Sequence, residues 1–151
     1  MQISDYLKLE AINLKLGSKD KKSILKELFS GLANCNEVND AKKCYDDLLE
    51  RENLGSTGIG KGVAIPHAKT SGVDKIIMTI GISENPIEYN SIDNKEVKLF
   101  FMFLAPTNLS QEYLILLAKI SRFIKEEKFR EKLLNAKTKD EIGEILRLKE
   151  S

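Results

Sequence analysis

Tryptophan is absent from this chain of 151 residues, histidine occurs once, cysteine twice and proline three times. One histidine and two separated cysteines cannot supply the usual ligand set of a zinc site, so no resident metal is expected. Cys35 and Cys44 would form a disulfide framework only in an oxidising compartment. Asp5, Glu10 and several lysines interrupt the apolar positions near the start of the chain. That leaves no apolar core of a signal peptide, and a cytoplasmic protein with two reduced thiols is expected. Apolar runs of bilayer-spanning length are missing as well. So is an excess of charge of either sign: Lys and Arg number 24, Asp and Glu 23, and the formal net charge is +1. No field is available to gather polyanions, so neither nucleic acid nor an anionic membrane is an expected partner.

Hydrophobic residues make up 42% of the chain and charged residues 31%, the balance of a soluble globular domain. A chain of this length can bury enough apolar surface for one core. No internal repeat, low-complexity linker or shift in composition divides it, so residues 1–151 read as one domain. A monomer is expected.

Hydrophobic periodicity supplies the elements. Ala11, Ile12, Asn13, Leu14, Lys15 and Leu16 alternate and predict a strand over residues 10–16, closed by Gly17-Ser18. Ile24, Leu25, Leu28, Phe29 and Leu32 recur at helical spacing. A second stripe of Ala41, Cys44, Tyr45, Leu48 and Leu49 predicts another helix, capped by Asn39 or Asp40 and ending near Arg51-Glu52. Glycines at 55, 58, 60 and 62 predict a shaped loop, not a helix or a central strand. Val63-Ala64-Ile65 follows as a short strand. Ile76 to Ile82 and Val97 to Leu104 predict two central strands, separated by polar turns around Asn85-Pro86 and Asp93-Asn94. Beyond Pro106 the period is helical again. Tyr113, Leu117, Ile120 and Ile124 mark a long amphipathic helix, and Phe129, Leu133 and Leu134 a shorter one. Thr138 and Glu141 predict a capping box that opens the last. Strands interleaved with helices predict an α/β layer protein.

The chemistry is concentrated in the run from Arg51 to Lys69. Gly55 through Lys61 fits the first seven positions of the nucleotide-binding pattern G-x-x-x-x-G-K-[ST], but Gly62 stands where a magnesium-binding hydroxyl is required. The helix that should follow is replaced by a strand-like run ending in Pro66. A lone histidine is more often a hydrogen-bonded structural residue than a catalytic one. His67, however, follows a rigid proline at the end of a short strand, where sites in α/β sheets tend to be built. Upstream glycines let backbone N–H groups approach an anion. Ser56 and Thr57 add hydroxyl donors, and Arg51 adds a planar cation matched to phosphate oxygens. Together they read as an anion site beside an imidazole.

Arg51-Glu52, Ser56-Thr57-Gly58-Ile59-Gly60 and Gly62-Val63-Ala64-Ile65-Pro66-His67-Ala68 resemble the signature of fructose/mannitol-type enzyme IIA domains of the bacterial phosphotransferase system. The resemblance covers nearly the whole chain and implies a mixed β-sheet flanked by helices, with His67 as the phosphorylated histidine and Arg51 on its phosphate side. It implies a phosphocarrier with no cofactor. The donor would be the phosphohistidine of the carrier HPr and the acceptor a cysteine of an enzyme IIB domain, with a fructose-like sugar favoured. Neither Cys35 nor Cys44 lies in a glycine-rich phosphate loop, so the acceptor is elsewhere. Relatives often carry a second histidine after the Ala105-Pro106 turn, where this chain has Tyr113-Leu114. Tyr113, Glu112 or backbone groups would then take over that neighbour's contacts. Rival readings are a nitrogen-type regulator whose phosphorylation state controls partner binding, and a binding module in which His67 is inert.

Overall fold

A computed structural model describes residues 2–151. Among them are six strands, β1 (Asn13–Leu16), β2 (Gly58–Gly60), β3 (Val63–Ala64), β4 (His67–Lys69), β5 (Ile77–Ile87) and β6 (Val97–Ala105). Five α-helices accompany them: α1 (Lys21–Leu32), α2 (Ala41–Leu54), α3 (Ser110–Ile124), α4 (Glu127–Leu134) and α5 (Lys139–Glu150). The sheet is mixed, in the order β1-β5-β6-β3-β2, and β4 also pairs with β6.

Strand β6, VKLFFMFLA, is almost continuously apolar, as a strand covered on both faces must be. Leu99, Phe101, Phe103 and Ala105 enter the core under α3, α4 and α5, whereas Phe100, Met102 and Leu104 enter the one under α1 and α2. Each fully buried phenylalanine contributes about 1.5–3 kcal/mol of transfer free energy, so β6 anchors both layers. The helices begin where acceptors occur. The Asp20 carboxylate accepts from Ser23 N at 2.8 Å and Asp40 from Lys43 N at 3.0 Å, each satisfying an orphan N–H of a first turn. Of the two candidate caps for α2 it is therefore Asp40 that serves.

Four local expectations are corrected. Leu9–Ala11 forms a 3-10 turn, so the first strand shortens to β1. The glycine run is not all loop: Gly58–Gly60 pairs with Val63–Ala64 as an antiparallel hairpin at the sheet edge, with Ile59 packed against the core. Gly60 and Gly62, with φ of +95° and +77°, make its turn, a conformation that favours glycine. Strand β5 runs through Pro86, because its pairing with β6 is broken between Ile82 and Ile87 and the missing N–H falls in that gap. At α5 the Thr138 hydroxyl accepts from Glu141 N at 3.1 Å, but the Glu141 carboxylate accepts from Lys137 N, so only half of the capping box closes.

No helix among the described residues is long and apolar enough to cross a membrane.

Candidate functional site

Residues 63–69 run along one edge of β6 as a broken parallel strand. Val63 and Ala64 pair with Leu99 and Phe100, and His67, Ala68 and Lys69 pair with Phe103, Leu104 and Ala105. Pro66 causes the interruption, since it has no N–H to give the ladder. At the break, the Ile65 carbonyl lies 2.5 Å from Nδ1 of His67. A carbonyl can only accept, so Nδ1 carries the hydrogen and Nε2 is left with its lone pair. The ring is fixed in plane as well. It stacks on Phe103 at 5.4 Å and 15°, and Tyr113 of α3 packs at 5.7 Å and 57° from another side.

His67 is only 7% exposed. Burial pushes its pKa below the ordinary imidazole value and the nearby Arg51 guanidinium adds to that, while the Ile65 bond and the Glu52 carboxylate oppose them. The net direction favours the neutral, nucleophilic ring. Tyr113 is also buried, which raises its phenol to about 12 against a smaller opposing effect of Arg51. It has no ionisation near neutrality.

Arg51 lies in the last turn of α2 and donates through Nη1 to the Gly55 carbonyl at 2.8 Å. That contact is to a neutral carbonyl, so it does not spend the charge of the guanidinium. Its electrostatic effect reaches His67, Tyr113 and Tyr89. The two hydroxyls expected to serve as anion donors are engaged elsewhere. Ser56 Oγ donates to the Tyr89 carbonyl at 2.8 Å and accepts from Gly58 N at 3.1 Å. Thr57, 3% exposed, donates its hydroxyl to Glu52 Oε1 at 2.6 Å. Their physical role here is to hold the loop, because a hydroxyl has one hydrogen to give. No group of three or more metal-ligating side chains occurs among the described residues.

The model of one family, the phosphoenolpyruvate-dependent sugar phosphotransferase system EIIA 2, matches residues 5–149. The chain belongs to that family. It is 35% identical, over 95% of its length and 94% of the relative's, to a fructose-specific EIIA component from Haloferax volcanii. It is 34% identical over 97% of its length to a fructose-specific EIIABC component from Bacillus subtilis, but spans only 23% of that longer protein. The crystal structure of nitrogen regulatory protein IIA-Ntr from Neisseria meningitidis superposes with a TM-score of 0.89 at 31% identity, covering 95% of this chain and 98% of that one. A mannitol IIA solved in complex with phosphorylated IIB from Escherichia coli shares the fold, with a TM-score of 0.74 at 20% identity, 93% of this chain and 98% of that one being covered. As an EIIA, the chain is a phosphotransferase component and phosphocarrier.

Three features of this EIIA site were not read from the sequence: the Ile65 carbonyl, Phe103 and the carboxylate of Glu52. The last had a signal. Cys44, Leu48 and Glu52 recur every four residues, so Glu52 continues the buried stripe of α2, and a carboxylate placed there must find donors.

Proposed function

We propose that this EIIA carries its phosphoryl group on Nε2 of His67, taking it from the phosphohistidine of HPr and delivering it to a cysteine of an enzyme IIB domain in the cytoplasm. The observation that carries this reading is the Nδ1 contact to Ile65, which leaves Nε2 as the ring's free nucleophile. In the forward step the Nε2 lone pair attacks phosphorus in line. The new N–P bond forms as the donor's N–P bond breaks, and the donor imidazole leaves. No proton has to move at Nε2, and Nδ1–H keeps its acceptor while the ring gains positive character. In delivery a IIB thiolate attacks, and His67 departs as neutral imidazole. Burial disfavours the charged phosphoimidazole, which keeps the N–P bond labile. Arg51 would neutralise the equatorial oxygens, Tyr113 would bound the pocket, and Ser56 and Thr57 would act as framework.

The test is incubation with phosphoenolpyruvate, enzyme I and HPr, followed by intact mass and peptide mapping. One acid-labile phosphoryl group on the peptide containing His67 is expected. Acid-stable label on Ser56 or Thr57 that persists in His67→Ala would overturn the assignment.

The relatives divide between sugar-specific and nitrogen regulatory proteins, and the two uses share this chemistry. The fructose-specific EIIA of almost equal length supports uptake of a fructose-like sugar. The close superposition on IIA-Ntr supports a regulator that binds partners according to its phosphorylation state. Rapid transfer of the label to the cysteine of a IIB domain favours the first; retention on His67 favours the second.

A further inference from the structure

Glu52 is a carboxylate only 7% exposed, and isolated burial of such a charge would be strongly unfavourable. Its surroundings show how it is tolerated. Oε2 accepts from Thr57 N at 2.8 Å and lies 3.0 Å from Lys21 Nζ; Oε1 accepts from Thr57 Oγ1 at 2.6 Å and from the Tyr89 hydroxyl at 3.0 Å. Lys21 also donates to the Tyr89 carbonyl at 3.3 Å and sits 4.4 Å over the Tyr89 ring. One carboxylate thus joins the end of α2, the loop before β2, the segment after β5 and the first turn of α1.

We propose that Glu52 is a positioning residue for phosphoryl transfer, fixing Arg51 and the Gly55–Gly58 segment against His67. This rests on His67 being the phosphoryl carrier. Arg51 grips one side of the segment through the Gly55 carbonyl, and Glu52, the next residue of the same helical turn, grips the other through the Thr57 amide. Neither can shift without the other. The charges are arranged to the same end. Lys21, not Arg51, compensates the carboxylate, so the Arg51 cation stays available to an incoming dianion instead of being consumed by its neighbour. An amide at position 52 would keep the shape but leave too few acceptors for three hydroxyl and amide donors and Lys21.

The experiment compares wild type, Glu52→Gln and the remote control Glu37→Gln, which breaks the pair with Lys8. Phosphorylation by phospho-HPr is measured together with the pH titration of His67 by NMR, the only imidazole in the chain. Glu52→Gln should lower the maximal transfer rate by about 100-fold, the scale of a misplaced group, with half-saturation by phospho-HPr unchanged. It should also lower the His67 midpoint, because a carboxylate that favours imidazolium is gone. Glu37→Gln should match wild type in both. Should Glu52→Gln fail to fold, Thr57→Val and Tyr89→Phe each remove one donor and should each slow transfer by about tenfold. A folded Glu52→Gln that transfers at the wild-type rate, or wild-type rates in both substitutes, overturns the positioning role. Absence of His67 labelling in wild type would instead overturn the carrier assignment, while the NMR titration remains readable.

Discussion

His67 and Cys44 are both buried, both potential nucleophiles, and both packed around one short segment, yet the same physical effect pushes them to opposite chemical ends. His67 opens β4; Cys44 on α2 lies against Gly72 just beyond it, where an added Cβ would come within 2.6 Å of the sulfur. Desolvation disfavours whichever form is charged. For imidazole that is the protonated form, which has no free lone pair, so burial lowers the pKa and leaves the ring reactive. For a thiol the charged form is the thiolate, the nucleophile itself, so burial raises Cys44 to about 11 despite a hydrogen bond from Thr70. Thus burial decides which of the two stays nucleophilic as much as chemical type does.

The sharpest way to break the comparison is to remove its reactive member. His67→Ala should abolish acid-labile phosphorylation, read by intact mass. Next in size, Arg51→Lys should slow transfer by about tenfold or more, roughly 1.4 kcal/mol in the barrier, whereas Lys61→Ala should change it little; stopped-flow or quench kinetics decide this. Acidification comes third. With its folded-state pKa lowered, His67 contributes stability that is present above the ordinary value near 6.5 and lost as pH falls through the folded-state value. Transfer should fall through that same single ionisation, and Tyr113→His should add a second. Cys44→Ala should leave transfer within about twofold of wild type while costing about 1 kcal/mol of stability by denaturant titration, and native Cys44 should resist iodoacetamide. The smallest effect belongs to Tyr113→Phe, which keeps the ring packed on His67; transfer within about twofold of wild type is expected, as the phenol makes no hydrogen bond among the described residues.

Much of this arrangement was legible in the sequence, and what was missed has a physical reason. The helices and β5 and β6 announce themselves through long apolar periods. β4 does not, because His67-Ala68-Lys69 has no strand pattern of its own and is a strand only by pairing with β6. The Gly58–Gly60 strand was hidden by its glycines, one of which is required: a Cβ at Gly58 would stand 2.3 Å from Ser91 Oγ. At the site, Tyr113 packs beside His67 and the Arg51 charge acts on both, a grouping that the resemblance implies and that the residue types alone, an aromatic at the edge of a core and a charge at a helix end, do not. Ser56 and Thr57 look like free donors in the sequence, which does not show that their hydroxyls meet the Tyr89 carbonyl and Glu52, residues whose proximity depends on the whole sheet. The Ile65 carbonyl was beyond reach for the same reason, since every residue has one and only the break at Pro66 aims this one at an imidazole.

Burial and the Ile65 carbonyl together present a neutral ring at His67, with Nε2 as the nucleophile proposed above. A long-range 1H–15N spectrum of the single imidazole, followed through pH and then through phosphorylation, tests it most directly. Hydrogen on Nδ1, a midpoint below 6.5, and phosphorus coupled to Nε2 after transfer are expected. A ring protonated on Nε2, a midpoint at or above 6.5, or phosphorus on Nδ1 would contradict it.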